Sequence, residues 1–247
     1  MSTYGPQARD RARAALAGLA IGDALGMPTQ LMSPAEVAER FGVLDGFHPG
    51  GPDHPIAAGM PAGSVTDDTE QALVLARLMI DGGGHVEPKE FAARLVAWED
   101  DMRSRGSLDL LGPSTRRAVA AVMAGVDVSE AGRAGATNGA AMRIAPLGIA
   151  VGSADLGALV DRVVEASSVT HHTGLAIASA SAVAAAVSAG IGGADVASVI
   201  PLAVEAAALG AARGSWVAGG DVARRIRWAV DLVQRARPEE ALRDVRE

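Results

Sequence analysis

Ser64-Val65-Thr66-Asp67-Asp68-Thr69-Glu70, running into the apolar stretch Ala72-Leu73-Val74-Leu75-Ala76, decides how this chain is read. Pro61 and Gly63 turn the backbone just before it, and the run then enters a helix too apolar to be exposed. The plainer reading is capping. Asp and Thr are good N-cap residues, Asp67 and Glu70 have capping-box-like spacing, and the helix dipole favours acids at this end. The alternative starts from repulsion. Two adjacent carboxylates at the mouth of a buried helix repel unless a proton or a cation compensates them. Carboxylate and hydroxyl oxygens suit Mg²⁺, Mn²⁺ or Ca²⁺ better than zinc or copper.

Composition narrows the fold around that helix. The chain has 247 residues, 49% of them hydrophobic, 21% charged and only 3% aromatic. Ala, Gly, Val and Leu dominate, which predicts closely packed helices rather than a sheet. With no cysteine, disulfides, iron–sulfur clusters and thiol nucleophiles are excluded. The net charge of -7 and the lack of a basic stripe argue against a nucleic-acid partner. The cluster Arg224-Arg225-Ile226-Arg227 reads as a solvated helix face. Tyr4 to Arg13 has no apolar h-region, so no signal peptide is expected. Leu175 to Ala189 is rich in Ala and Ser, which predicts a buried helix rather than a membrane span. These features together predict a cytoplasmic protein that engages no membrane.

Helices are expected over about 7–20, 34–41, 67–81, 88–105, 113–125, 139–150, 155–167, 172–189, 194–213 and 220–236. Ser33-Pro34-Ala35-Glu36 carries a cap, a proline at the first helical position and a glutamate at the third. Pro88 and Pro113 mark similar entries, while Gly82-Gly83-Gly84 and Gly190-Ile191-Gly192-Gly193 mark stops. Residues 42–65 read as a long irregular loop, and a loop of that length in a compact domain is usually functional. No strand alternation, repeat or dividing linker is visible. The expectation is one all-α domain over residues 1–247.

Four other segments stand out. Gly18-Leu19-Ala20-Ile21-Gly22-Asp23-Ala24-Leu25-Gly26 is expected to end the first helix, either as a C-cap with Asp23 on local amides or as a close approach for a ligand. Thr137-Asn138-Gly139-Ala140-Ala141-Met142-Arg143 is expected to open a helix. Its amides could meet a phosphate, or Arg143 could form a surface ion pair. Val169-Thr170-His171-His172-Thr173 opens another helix, and a histidine pair there is a cap or polar contact as readily as a ligand. Ser107 to Pro113 reads as a pocket-lining loop with no chemistry of its own.

In this order, from about residue 12 to residue 190, these segments resemble the ADP-ribosylglycohydrolase family. No single motif is decisive, but the ordered set is specific. The resemblance implies an all-α orthogonal multi-helix bundle with two Mg²⁺ ions in a cleft, Mn²⁺ being able to replace them. It implies that Thr66, Asp67 and Asp68 are metal ligands, with Asp67 and Asp68 catalytic. Asn138 and Gly139 would line the ADP-ribose cleft, and Gln30, Met142, Arg143 and His171 would bind, support or position substrate. The partner would be ADP-ribose or an ADP-ribosylated protein or small molecule.

Two departures qualify this. Many members carry Glu near the position of Gln30, and an amide cannot accept a proton at neutral pH. The family's later Gly-Gly-Asp-Thr-Asp-Thr motif is absent: Gly219-Gly220-Asp221 continues as Val222-Ala223. The chain is therefore expected to lack the C-terminal part of the family fold and to hold one or both metals weakly. Three functions are consistent with the residues: Mg²⁺-dependent removal of ADP-ribose, hydrolysis of a smaller ribosyl compound such as a nucleoside, and non-catalytic ADP-ribose binding.

Overall fold

A computed structural model describes residues 5–235. The fold is all-α: α1 Pro6–Gly26, α2 Pro34–Phe41, α3 Asp67–Asp81, α4 Pro88–Ser104, α5 Pro113–Met123, α6 Val128–Ala131, α7 Ala145–Ala150, α8 Leu156–Ser167, α9 Gly174–Gly192, α10 Val196–Ala211 and α11 Val222–Arg235. Two single 3₁₀ turns, Met27–Thr29 and Asn138–Ala140, join them. Among the described residues the only β pairing is an isolated bridge between Thr173 and Ser215.

Local chemistry explains the boundaries. In α2, Ser33 accepts from the Glu36 amide and Glu36 returns a bond to the Ser33 amide at 2.7 Å, closing the predicted capping box. The short α6 was not among the expected helices, and two predicted spans differ by more than a few residues at one end or within. α1 continues six residues past its expected end, through Gly22 to Gly26, because Asp23 on its last turn is held by a distant partner. The span 139–150 divides into a 3₁₀ turn and α7, since Pro146 lacks an amide proton and its ring collides with the preceding turn. Gly219-Gly220-Asp221 forms a helix entry, where Asp221 accepts the Arg224 amide at 2.9 Å.

The long helix α9 packs against α1, α7, α8, α10 and α11. By length and composition it could cross a membrane, yet ten of its residues, from Ala176 to Ile191, are buried inside the fold. Its alanines permit close approach. At Gly210 of α10 an added Cβ would lie 2.6 Å from Ser181 Oγ and 2.9 Å from the Ile177 carbonyl oxygen of α9, so no side chain fits. The main core gathers Leu75, Phe91, Leu95, Leu147, Leu159 and Ile177 from α3, α4, α7, α8 and α9. A smaller cluster joins α9, α10 and α11. Against this framework the N-terminal ends of α3 and of the turn before α7 come together with the last turns of α1.

Candidate active site

The first turn of α3 is capped from elsewhere in the chain. Thr66 stands at the N-cap, but its side chain makes no capping bond. Instead Asp23 of α1 accepts the Thr66 amide at 2.8 Å, the Thr69 amide at 3.1 Å and both threonine hydroxyls at 2.6 Å. A carboxylate more than forty residues away thus takes the N-cap duty and meets the positive end of the helix dipole. The Asp23 carbonyl accepts the C-cap amide of Met27, but its side chain caps α3 rather than a local amide.

This arrangement frees the aspartates. Glu70 does not close a capping box with Asp67: it accepts the Trp98 indole N–H at 2.5 Å and pairs with Arg105 at 3.2 Å. Asp67 Oδ2 accepts from Gln71 at 3.1 Å, and Asp68 has only a long 3.5 Å contact with the Thr66 hydroxyl, whose proton goes to Asp23. Capping therefore does not account for Asp67 and Asp68.

Asp68 and Asp23 line a cavity of about 410 Å³ together with Gln30, Met142 and the glycine face Gly18, Gly22 and Gly26 of α1. Gln30 and Met142, expected to bind or position substrate, both lie in this cavity wall. Close to Asp67 at the α3 mouth lies a residue that the sequence reading missed. Asp109, on the Ser107–Pro113 segment expected to carry no chemistry, is 3% exposed, and its Oδ2 has no hydrogen-bond partner. The only signal for it was an acid set within Leu108, Leu110 and Leu111.

Burial and mutual repulsion shift these groups. Burial, then Asp109, Asp68 and Asp23 push the Asp67 carboxyl up to about 8, against a small opposing pull from Arg143. Burial and Asp23 also raise Asp68. Burial raises Asp109 to about 6, opposed in part by a hydrogen bond from the Asp67 backbone. In the cation-free protein, folded Asp67 thus keeps a proton that the unfolded chain releases near 3.8. Its stabilising contribution is complete below about pH 4 and is lost as pH rises through about 8. Unfolding free energy in chelator is expected to fall across that window, by up to ~1.4 kcal/mol per pH unit for each proton, and the thermal midpoint with it. Asp67→Asn should flatten the slope; a slope unchanged in that variant would count against the assignment.

Behind Asp67 lies a buried polar chain. Arg143, 1% exposed, donates to Gln71 Oε1 at 3.0 Å and to Thr170 Oγ1 at 2.6 Å, and its guanidinium lies 4.8 Å from the Phe91 ring centre. It forms no surface ion pair, and it stands behind the aspartates rather than in the cavity wall. Burial lowers Arg143 to about 10, still charged at neutral pH. His171 is fully buried, with Nδ1 at 2.7 Å from Thr170 Oγ1 and Nε2 at 2.9 Å from Thr137 Oγ1. Burial and Arg143 hold it down to about 3, so it is neutral and structural in character. Gly139 is part of the same packing: a Cβ there would fall 2.5 Å from His171 Cε1. Asn138 is exposed on a 3₁₀ turn, so the free amides of a long helix do not occur at this point.

The oxygen donors Asp67, Asp68 and Asp109 suit a hard dication in type, and the partnerless buried oxygen of Asp109 is an open position for one. Among the described residues no three acidic or histidine side chains already converge as a metal cage.

The fold is thus a helical bundle with a cluster of carboxylates at the mouth of an inner helix. The family model of the ADP-ribosylglycohydrolases matches residues 5–247, and the chain belongs to that family. It is 36% identical over 184 residues to the uncharacterized protein YegU of Escherichia coli K12, covering 74% of this chain and 55% of YegU. It is 33% identical over 147 residues to the ADP-ribosyl-[dinitrogen reductase] glycohydrolase of Rhodospirillum rubrum, covering 59% of this chain and 46% of that one. A solved ADP-ribosylglycohydrolase-related protein complex superposes with a TM-score of 0.60 at 30% identity, over 79% of this chain and 61% of that one. The chain spans about half the length of the curated relatives it matches.

Proposed function

We propose that this protein is a Mg²⁺-dependent hydrolase that cleaves the glycosidic bond of an ADP-ribosyl group on a protein side chain or small molecule. The observation that carries the reading is that Asp23 performs the capping of α3, leaving Asp68 in a cavity wall without a capping role and Asp67 and Asp109 buried beside it. Family membership, and a relative named ADP-ribosylarginine hydrolase Tri1 in Pseudomonas putida, 33% identical over 198 residues, support the same reading.

Asp67, Asp68, Asp109 and the Thr66 hydroxyl oxygen would hold one divalent cation, Mg²⁺ or Mn²⁺. When bound, that ion supplies charge stabilisation and a more acidic water. Hydrolysis breaks the bond from the ribose anomeric carbon to its nitrogen or oxygen substituent, forms a bond from that carbon to water oxygen, and returns a proton to the departing group. Asp68 faces the cavity, where its carboxylate would offset positive charge growing on the anomeric carbon. Asp67, its Oδ2 fixed by Gln71, and Asp109, whose Oδ2 has no other partner, would take the proton from water and pass it on. Gln30 and Met142 would contact the ribose from the cavity wall. Arg143 would contribute through Gln71, which it orients, and the neutral His171 and Gly139 would hold that frame.

Gln30 favours one second reading, a smaller ribosyl substrate such as a nucleoside, because it replaces a proton-accepting side chain with an amide. Turnover of ADP-ribosyl-arginine, ADP-ribosyl-serine and free nucleosides, each with Mg²⁺ and with chelator, tests both. Release of free ADP-ribose only with the metal is expected. Activity confined to nucleosides would transfer the assignment to the second reading, and calorimetric binding of ADP-ribose without any turnover would leave a binding protein.

A further inference from the structure

His54 lies in the long loop between α2 and α3, 2% exposed although its neighbours Asp53 and Pro55 face solvent. Its ring makes three contacts. The amides of Ile56 and Ala57 donate to Nδ1 at 3.1 and 2.8 Å, and Nε2 stands 3.0 Å from the Gln30 carbonyl oxygen. Two donors at Nδ1 require a lone pair there. The proton is therefore on Nε2, and it is donated to Gln30. The loop is folded around this ring, with the Met60 amide donating to the Ala57 carbonyl and the Gly50 amide to the Met60 carbonyl. A few residues later the same strand of chain delivers Thr66, Asp67 and Asp68.

The other end of the tether is under strain. Gln30 follows the 3₁₀ turn Met27–Thr29, and the next residue, Leu31, has φ of 63°. Leucine rarely occupies this left-handed region, and its side chain is 78% exposed, so no packing holds it there. Locally the turn has only the Met32 amide on the Thr29 carbonyl and the Thr29 hydroxyl on the Gly26 carbonyl. Met27 and Pro28 anchor the start of the turn by burial, and at its far end His54 supplies a hydrogen bond from outside, to the Gln30 carbonyl.

We propose that His54 is a positioning residue: its Nε2–H holds the strained Gln30–Leu31 turn so that the Gln30 side chain stays in the cavity wall beside Asp68. The assignment of a catalytic consequence rests on the ribosyl-hydrolase reading, and the tether itself does not. His54→Asn separates the two roles of the ring, because a short side-chain oxygen can still accept the Ile56 and Ala57 amides but cannot reach Gln30.

Hydrogen exchange is the first measurement. The Met32 amide should exchange about 10-fold faster in His54→Asn, the effect of one lost hydrogen bond on a local opening, while the Ile56 and Ala57 amides keep wild-type protection and show the loop still folded. The second is a double-mutant cycle on ADP-ribose release. His54→Asn should lower kcat/KM roughly 10-fold in the wild-type background and cause no further loss in Gln30→Ala. Unchanged Met32 exchange, or an equal loss in both backgrounds, overturns the proposal. If the wild-type chain turns over no ribosyl substrate, the hydrolase reading falls, and Met32 exchange alone then decides whether the tether exists.

Discussion

Replacing Asp67 and Asp68 together with alanine is expected to abolish ADP-ribose release, by about 10³-fold or more, while leaving the fold intact or more stable. The two effects have one cause. Both carboxyls are pushed upward by burial and by neighbouring acids, so in the absence of a cation they oppose the folded state at neutral pH and above. Removing them relieves that repulsion. Asp23, which caps α3, remains in place, so the helix does not lose its N-terminal bonds. Calorimetry with Mg²⁺ or Mn²⁺ should show binding by the wild type and none by the double variant. The thermal midpoint of the variant in chelator at pH 8 should equal or exceed that of the wild type. Full activity in the variant would end the functional assignment; a large drop in stability would show that the pair is structural after all.

Arg143→Met is expected to have the opposite profile, costing about 3–5 kcal/mol of stability, the size seen when one member of a buried charged network is removed. Methionine approximates the length of the side chain but leaves Gln71 Oε1 without its donor, removes the donor to Thr170, and forfeits the stacking on Phe91. It also removes the positive charge that offsets part of the repulsion on Asp67. Such a loss is a large share of the 5–15 kcal/mol typical of a domain. Arg143→Lys should recover only part of it, because a single ammonium cannot span Gln71 and Thr170 while lying flat on a ring. Urea unfolding monitored by helix content reads both variants. A midpoint for Arg143→Met equal to wild type would show that the buried chain from Arg143 to His171 contributes little.

The four acids at the α3 mouth had different visibility in the sequence. Asp67 and Asp68 were legible because adjacent acids entering an apolar helix are costly without a partner. Asp23 was visible only as one of two options in a glycine-rich turn, and Asp109 was passed over inside Leu108–Leu111. Both gain their roles from residues far along the chain, and spacing in one dimension carries no record of that. Arg143 illustrates the same limit. An arginine in a turn is most simply placed at the surface, and only the burial of Gln71, Thr170 and Phe91 around it makes it a core residue. His54 was not singled out at all, since one histidine in a loop of glycines and prolines has no pattern to betray it.

The sequence by itself determined that this protein is helical, where most of its helices begin, and that a pair of acids stands at the entrance of an inner helix. Those properties follow from short-range rules: apolar periodicity, caps, and prolines at first turns, all readable within a few residues. The tertiary structure alone decided which acid caps and which are free, because that depends on Asp23 reaching α3 across the bundle. It also decided that the 139–150 segment breaks at Pro146 and that the cavity lies between α1 and α3. A carboxylate takes its role from the donors, charges and solvent around it, and those are assembled only when distant segments pack.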